Sequence, residues 1–138
     1  MSAFAEIAAG IDSVSIDQGP KAAANAYLKA GEEVLENWIL AHGGEPTEEK
    51  KEGFRILALH RQGAKGDPSF NACRETCREL VYHYNVVTGD YASGDPEAAL
   101  AMMRFVVRHL YLFVSGKLEE AKLGEFCCSS KDTRSNGR

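Results

Sequence analysis

Cys73 and Cys77 stand one helical turn apart in the segment Asp67-Pro68-Ser69-Phe70-Asn71-Ala72-Cys73-Arg74-Glu75-Thr76-Cys77-Arg78-Glu79-Leu80-Val81-Tyr82-His83-Tyr84, the densest run of potentially reactive side chains in the sequence. Residues at i and i+4 share a helix face, so two thiolates in this register would reach one soft metal. Zinc, copper(I) or an iron–sulfur cluster suits such ligands. The spacing is not C-x-x-C and no second pair of this kind is present, whereas a structural zinc site normally shows tighter local pairs. Phe70, Cys73, Cys77, Leu80, Tyr84 and Val87 fall at intervals of three and four, which puts both thiols on the apolar side of their helix. A buried free cysteine packs as a small hydrophobe, so core packing is the plain reading of this stripe and thiol chemistry the sharper one.

Thiol chemistry needs partners, and connectivity offers some. The connector Gly63-Ala64-Lys65-Gly66 is short, so the helices on either side should be antiparallel neighbours with His60 at the depth of Cys73. A following helix that runs back beside the cysteine helix would bring Cys127 and Cys128 to the same end. His60, Cys73, Cys77, Cys127 and Cys128 therefore form the candidate metal or redox set, with the tail cysteines as a resolving pair for transient oxidation. A disulfide between Cys73 and Cys77 within one helix is disfavoured, because the two side chains run roughly parallel. Arg74 and Arg78 flank the cysteines, and cations lower a thiol pKa. Yet Arg74, Glu75, Arg78 and Glu79 point mainly away from the stripe, as a solvated face does.

Glu79 and His83 are also one turn apart and would orient each other as an acid–base pair, although such pairs on helices are commonly plain surface interactions. The Glu-x-x-His signature of di-iron bundles has one residue fewer between its ligands and needs a second copy, so a ferritin-like site is disfavoured. Arg61 and Lys65, with His60, are a candidate anion site leading into the helix that starts at Asp67. The P-loop pattern is absent there, and Asp67 itself takes the cap. His109, among Phe105, Val106, Leu112 and Phe113, reads as a core histidine, and His42 as a cation favoured at a helix C-terminus. No Ser-His-Asp order, nucleotide fingerprint or C-x-x-C-H haem site appears, and no catalytic residue is assigned.

The elements that must position these groups are marked by proline and glycine. A short first helix spans roughly Ser2 to Val14, with Phe4, Ile7, Ala8, Ile11 and Val14 at helical spacing. Pro20 opens a second, which stops at Gly43-Gly44 and has Ala24, Tyr27, Leu28, Gly31, Leu35, Trp38 and Ile39 as its inner stripe. Glu45-Pro46-Thr47 opens a third, ending near Gln62-Gly63. Asp67-Pro68 and Asp95-Pro96 start the fourth and fifth, which run to about Thr88 and Lys122. Leu100, Met103, Phe105, Val106, Val107, Leu110, Leu112, Phe113 and Val114 surround much of the fifth helix, as befits a central element. The expected fold is all-α: an antiparallel bundle of four long helices with the short N-terminal helix across it. Residues 1–123 form one domain and 124–138 a mobile polar tail.

At 138 residues the chain is of single-domain length. Its net charge of −4 argues against a nucleic-acid footprint. No unbroken run of about 18 apolar residues suggests a membrane span, and Met1-Ser2-Ala3-Phe4-Ala5-Glu6 lacks the basic start of a secretory signal. A cytoplasmic location is expected, where the four cysteines should be reduced thiols, metal ligands or transient redox groups and not structural disulfides. The leading functional reading is an accessory or interaction protein, more binding module than enzyme, with a protein partner and a homodimer made through the apolar fifth helix. The alternative is a thiol-based metal, cluster or redox protein.

Overall fold

The proline and glycine signals set most element boundaries. The computed structural model describes residues 3–89 and 95–120. These residues form α1 (Ala3–Asp12), α2 (Pro20–Ala41), α3 (Arg55–Gly66), a 3₁₀ helix (Pro68–Cys73), α4 (Arg74–Thr88) and α5 (Pro96–Glu120). With 79% of them helical and no strand among them, the all-α class is established. The α-helices are uneven in length, from 10 residues in α1 to 25 in α5.

Pro20 sits in the first turn of α2, where its missing N–H costs nothing. The other end closes with Gly43 N–H donating to Leu40 O at 3.0 Å and Gly44 N–H to Ile39 O at 2.9 Å, while Gly43 takes φ 81°. This is a Schellman closure, which calls for a glycine at the left-handed position. Asp95 caps α5 by accepting from Glu97 N–H at 3.0 Å.

The third helix starts at Arg55, eight residues later than the sequence reading placed it. Thr47 Oγ1 accepts from Glu49 N–H at 3.0 Å, a local bond that competes with helix. Lys51 and Phe54 then exchange backbone hydrogen bonds at 3.0 Å across Glu52 and Gly53, whose φ values are 55° and 88°. Positive φ at both central residues makes a tight reverse turn that no helix passes through. The cysteine helix also differs from expectation. Asp67 accepts from Ser69 N–H at 3.0 Å and starts a 3₁₀ helix, and Cys73 marks its junction with α4.

α5 packs mainly on α4 and α2, and α2 also meets α1, α3 and α4. At Gly31 of α2 a Cβ would lie 2.9 Å from Ile56 Cδ1 and 2.9 Å from Leu80 Cδ2, so the close approach of α3 and α4 depends on its absence. Phe70 is fully buried, stacked on Trp38 at 4.6 Å and on His60 at 5.6 Å.

α5 is not covered all round. Leu100, Met103, Val106, Val107, Leu110 and Val114 are buried, but Met102, Phe105 and Leu112 are exposed. His109 lies with them on the exposed side, not in the core where the sequence reading put it. Cations interrupt the helix, yet its mean hydropathy of 1.4 over an 18-residue window makes it long and apolar enough, by length and composition, to cross a membrane.

Candidate functional site: a buried thiol pair beside His60

Cys73 and Cys77 come from the 3₁₀–α4 junction and the first turns of α4, and His60 from α3 across the short connector. All three are buried: Cys73 is 2% exposed, Cys77 0% and His60 6%. His60 Nε2 lies 3.0 Å from Phe70 O, and Cys73 Sγ lies 3.2 Å from the same oxygen. A carbonyl only accepts, so Nε2 carries the proton and this contact fixes the imidazole tautomer. Cys77 and His60 are the side chains that act on the Cys73 thiol.

These contacts divide the protons of the pair. The Cys77 hydrogen bond pulls the Cys73 pKa down to about 6 against the opposing effect of burial, and His60 adds to the lowering. Cys77 is pushed well above 9.0 by its bond to Cys73, by burial and by the Cys73 charge. Of the two thiols, Cys73 is thus the one whose ionisation is favoured and Cys77 the one whose ionisation is opposed. Access is the constraint: with so little sulfur surface exposed, only a small oxidant or a local opening reaches Cys73.

The expected convergence of His60 with Cys73 and Cys77 is present. The carboxy-terminal part of α5 also returns to this end: Lys117 Nζ meets Ser69 Oγ at 2.6 Å and Asp67 Oδ2 at 3.5 Å. Cys127 and Cys128 lie outside the described residues. Among the described residues no group of three or more His, Cys, Asp or Glu is arranged to hold a metal ion.

The other sequence candidates separate. Glu79 is exposed and His83 half-buried; His83 meets the Tyr82 ring edge-on at 5.1 Å, and no hydrogen bond joins it to Glu79. Arg61 and Lys65 face away from His60 and meet Lys50 and Lys51 instead. Asp67 at that helix start is engaged by Ser69 and Lys117. The sequence points to the apolar fifth helix as an association surface but not to its open face, which Met102, Phe105, His109 and Leu112 share. Their 3-4-3 spacing is legible in the sequence, but the uniformly apolar helix hides which face stays open. Beside it a cleft of about 220 Å³ opens between α1 and α5, lined by Ala8, Ile11, Asp12, Arg108, Tyr111 and Leu112. No known protein family, curated protein or solved structure matches the chain.

Proposed function

We propose that the protein acts by association, first with a second copy of itself, through the outer face of α5. The observation that carries this is the exposure of Phe105 at 68% and Leu112 at 64%, in heptad register with Met102 and His109. The face is self-complementary. If α5 crosses its copy antiparallel, with the twofold axis between Arg108 and His109, Phe105 of one protomer faces Leu112 of the other. Each Phe105 then enters the neighbouring 220 Å³ cleft as a knob enters a hole. Full burial of each such side chain contributes roughly 1.5–3 kcal/mol. We infer in the same way that α2–α5 form an antiparallel bundle with α1 across it, a reading supported by the contact of Lys117 with Asp67 and Ser69.

Light scattering across the micromolar range tests the association. A dimer is expected, converted to monomer by Phe105→Glu or Leu112→Glu with helicity retained. A clean monomer throughout, or an unchanged dimer in both variants, overturns the reading. Partition of the intact chain into lipid vesicles in preference to self-association does the same and assigns the open face of α5 to a membrane.

A second reading, a thiol redox protein, is supported by the His60–Cys73–Cys77 contacts. Its reaction with hydrogen peroxide balances simply. The Cys73 thiolate attacks one peroxide oxygen, which breaks the O–O bond and leaves a sulfenic acid and hydroxide. A thiol then displaces water from the sulfenic acid to give a disulfide. The second thiol is Cys77 or one of Cys127 and Cys128. Intact mass after peroxide treatment of the Cys127→Ser/Cys128→Ser chain reads the outcome: loss of two hydrogens assigns Cys77, and stepwise gain of oxygen excludes it.

A further inference from the structure

Most of the arginines in the described residues are held by carboxylates. Arg55 pairs with Glu32, Glu36 and Glu48, Arg78 with Glu52, and Arg104 and Arg108 with Asp12. Lys50, Lys51, Arg61 and Lys65 form no salt bridge with a described carboxylate, although Lys51 feels the charge of Glu52, and these four line a single cavity of about 410 Å³ between the 45–54 loop and α3. Thr47, Ala58 and Gln62 complete the lining, and Glu49 is its one acidic side chain. The neighbouring acids are turned elsewhere: Glu48 goes to Arg55 and Glu52 to Arg78. A chain of net charge −4 therefore concentrates unneutralised positive charge in one concavity.

The frame is built before any ligand arrives. Gln62 of α3 clamps the loop at two points, donating to Glu45 O at 2.7 Å and accepting from Thr47 N–H at 2.8 Å. Arg55 Nε donates to Thr47 O at 2.8 Å, and the Lys51–Phe54 turn closes the far end. Arg61 and Lys65 are one turn apart on α3, and the small Ala58 lies one turn before Arg61 on the same face and leaves the floor open. Arginine offers a planar fork to phosphate oxygens and lysine a mobile point charge.

We propose that this cavity binds a small molecule bearing a diphosphate or triphosphate group. The cations sit on two walls, loop and helix, so an anion that engages both must carry charge at more than one centre. The volume lies in the range of small-ligand sites, and no aromatic side chain among the described residues lines it, so recognition rests on the phosphates and not on a stacked base. An extended nucleic acid is disfavoured by the net negative charge of the chain.

Calorimetric titration of the full chain with inorganic pyrophosphate tests this, with orthophosphate and adenosine diphosphate as comparison arms. One site is expected, at least about tenfold tighter for pyrophosphate than for orthophosphate and weakening with salt. Matching affinities for pyrophosphate and adenosine diphosphate confirm that the phosphates alone are read; much tighter nucleotide binding overturns that selectivity. Arg61→Glu/Lys65→Glu should lose about tenfold or more. Lys21→Glu/Lys29→Glu makes the same charge change on exposed α2 positions and should stay within about twofold. Equal losses in the two double variants, equal affinity for orthophosphate and pyrophosphate, or no binding at millimolar pyrophosphate overturns the proposal. Tighter binding of a short oligonucleotide than of pyrophosphate does so as well.

Discussion

Replacing Cys77 by alanine isolates the largest influence on Cys73. The Cys73 pKa stands at about 6 against an ordinary value of 9.0, and the Cys77 hydrogen bond is the main cause. A displacement of that size corresponds to about 4 kcal/mol of preference for the thiolate, at about 1.4 kcal/mol per pH unit. In Cys77→Ala the donor is gone while burial, which raises a thiol pKa, remains; only His60 and a backbone hydrogen bond oppose it. The Cys73 titration should therefore move up strongly, back toward 9.0. Thiolate ultraviolet absorbance followed against pH is the suitable assay because it needs no reagent to reach a sulfur that is 2% exposed. The Cys127→Ser/Cys128→Ser background keeps the tail thiols out of the signal. Stability should follow the same proton. The folded-state value of Cys73 lies below that of the unfolded chain, so its contribution is absent below pH about 6 and grows as pH rises to about 9. Above that range the raised Cys77 acts in the opposite sense, because only the unfolded chain releases its proton. Stability to urea should thus climb from pH 6 to 9 in the parent and lose most of that slope in Cys77→Ala. A midpoint that stays near 6 without Cys77 refutes the assignment of the shift to the thiol pair.

Gly31→Ala sets helix propensity against packing. Alanine gains about 1 kcal/mol in a helix interior, but its Cβ would press at 2.9 Å on both Ile56 and Leu80, each fully buried, and overpacking costs about 1–3 kcal/mol. A net loss of about 1 kcal/mol is expected, read as a Tm a few degrees lower, and a higher Tm contradicts the close α2–α3–α4 approach. Asp67→Ala removes the cap on Ser69 N–H and the ion pair to Lys117, at a cost of about 1 kcal/mol by chemical denaturation. The Ser69 hydrogen bond holds the Asp67 carboxyl below its ordinary 3.8, so this contribution is complete above that pH and disappears as pH falls through the folded-state value. An unchanged midpoint at neutral pH shows that the cap contributes nothing.

Local signals were the most legible. Pro20, Gly43, Asp67-Pro68 and Asp95-Pro96 act on the backbone within a few residues of themselves, and the structure puts helix ends where they stand. The cysteine stripe was legible for the same reason: Phe70, Cys73, Cys77, Leu80 and Val87 are all buried, as their spacing implies. Where the reading failed, a longer-range or competing interaction decided. Glu48 and Glu49 look like the acidic first turn of a helix, but Glu48 answers to Arg55 and the Thr47 hydroxyl takes the Glu49 N–H, so helix is deferred to Arg55. By sequence proximity Arg61 and Lys65 belong with the helix start at Asp67. Their company is Lys50 and Lys51, brought across by the Gln62 clamp, and a side-chain bond over fifteen residues leaves no periodic trace.

α5 shows most sharply how composition and placement part. Its apolar residues run round the helix, which by pattern alone fits a central element, a membrane span or a helix waiting for a partner equally well. Packing divides them: the side bearing Met103, Val107 and Leu110 is fully buried against the rest of the fold, and the opposite side bearing Phe105 and Leu112 remains open. A core-only role would leave the outer residues free to be polar, as they are on α4, where Arg74, Glu75 and Glu79 face out. Large apolar side chains kept at heptad spacing on the outside of the longest helix lower solubility unless something covers them. Burial in a twofold contact removes that liability with no second gene product, and it does so beside a cleft whose rim carries the charges of Asp12 and Arg108. The exposed face of α5, more than the buried thiols, is therefore the surface that the proposed self-association would use.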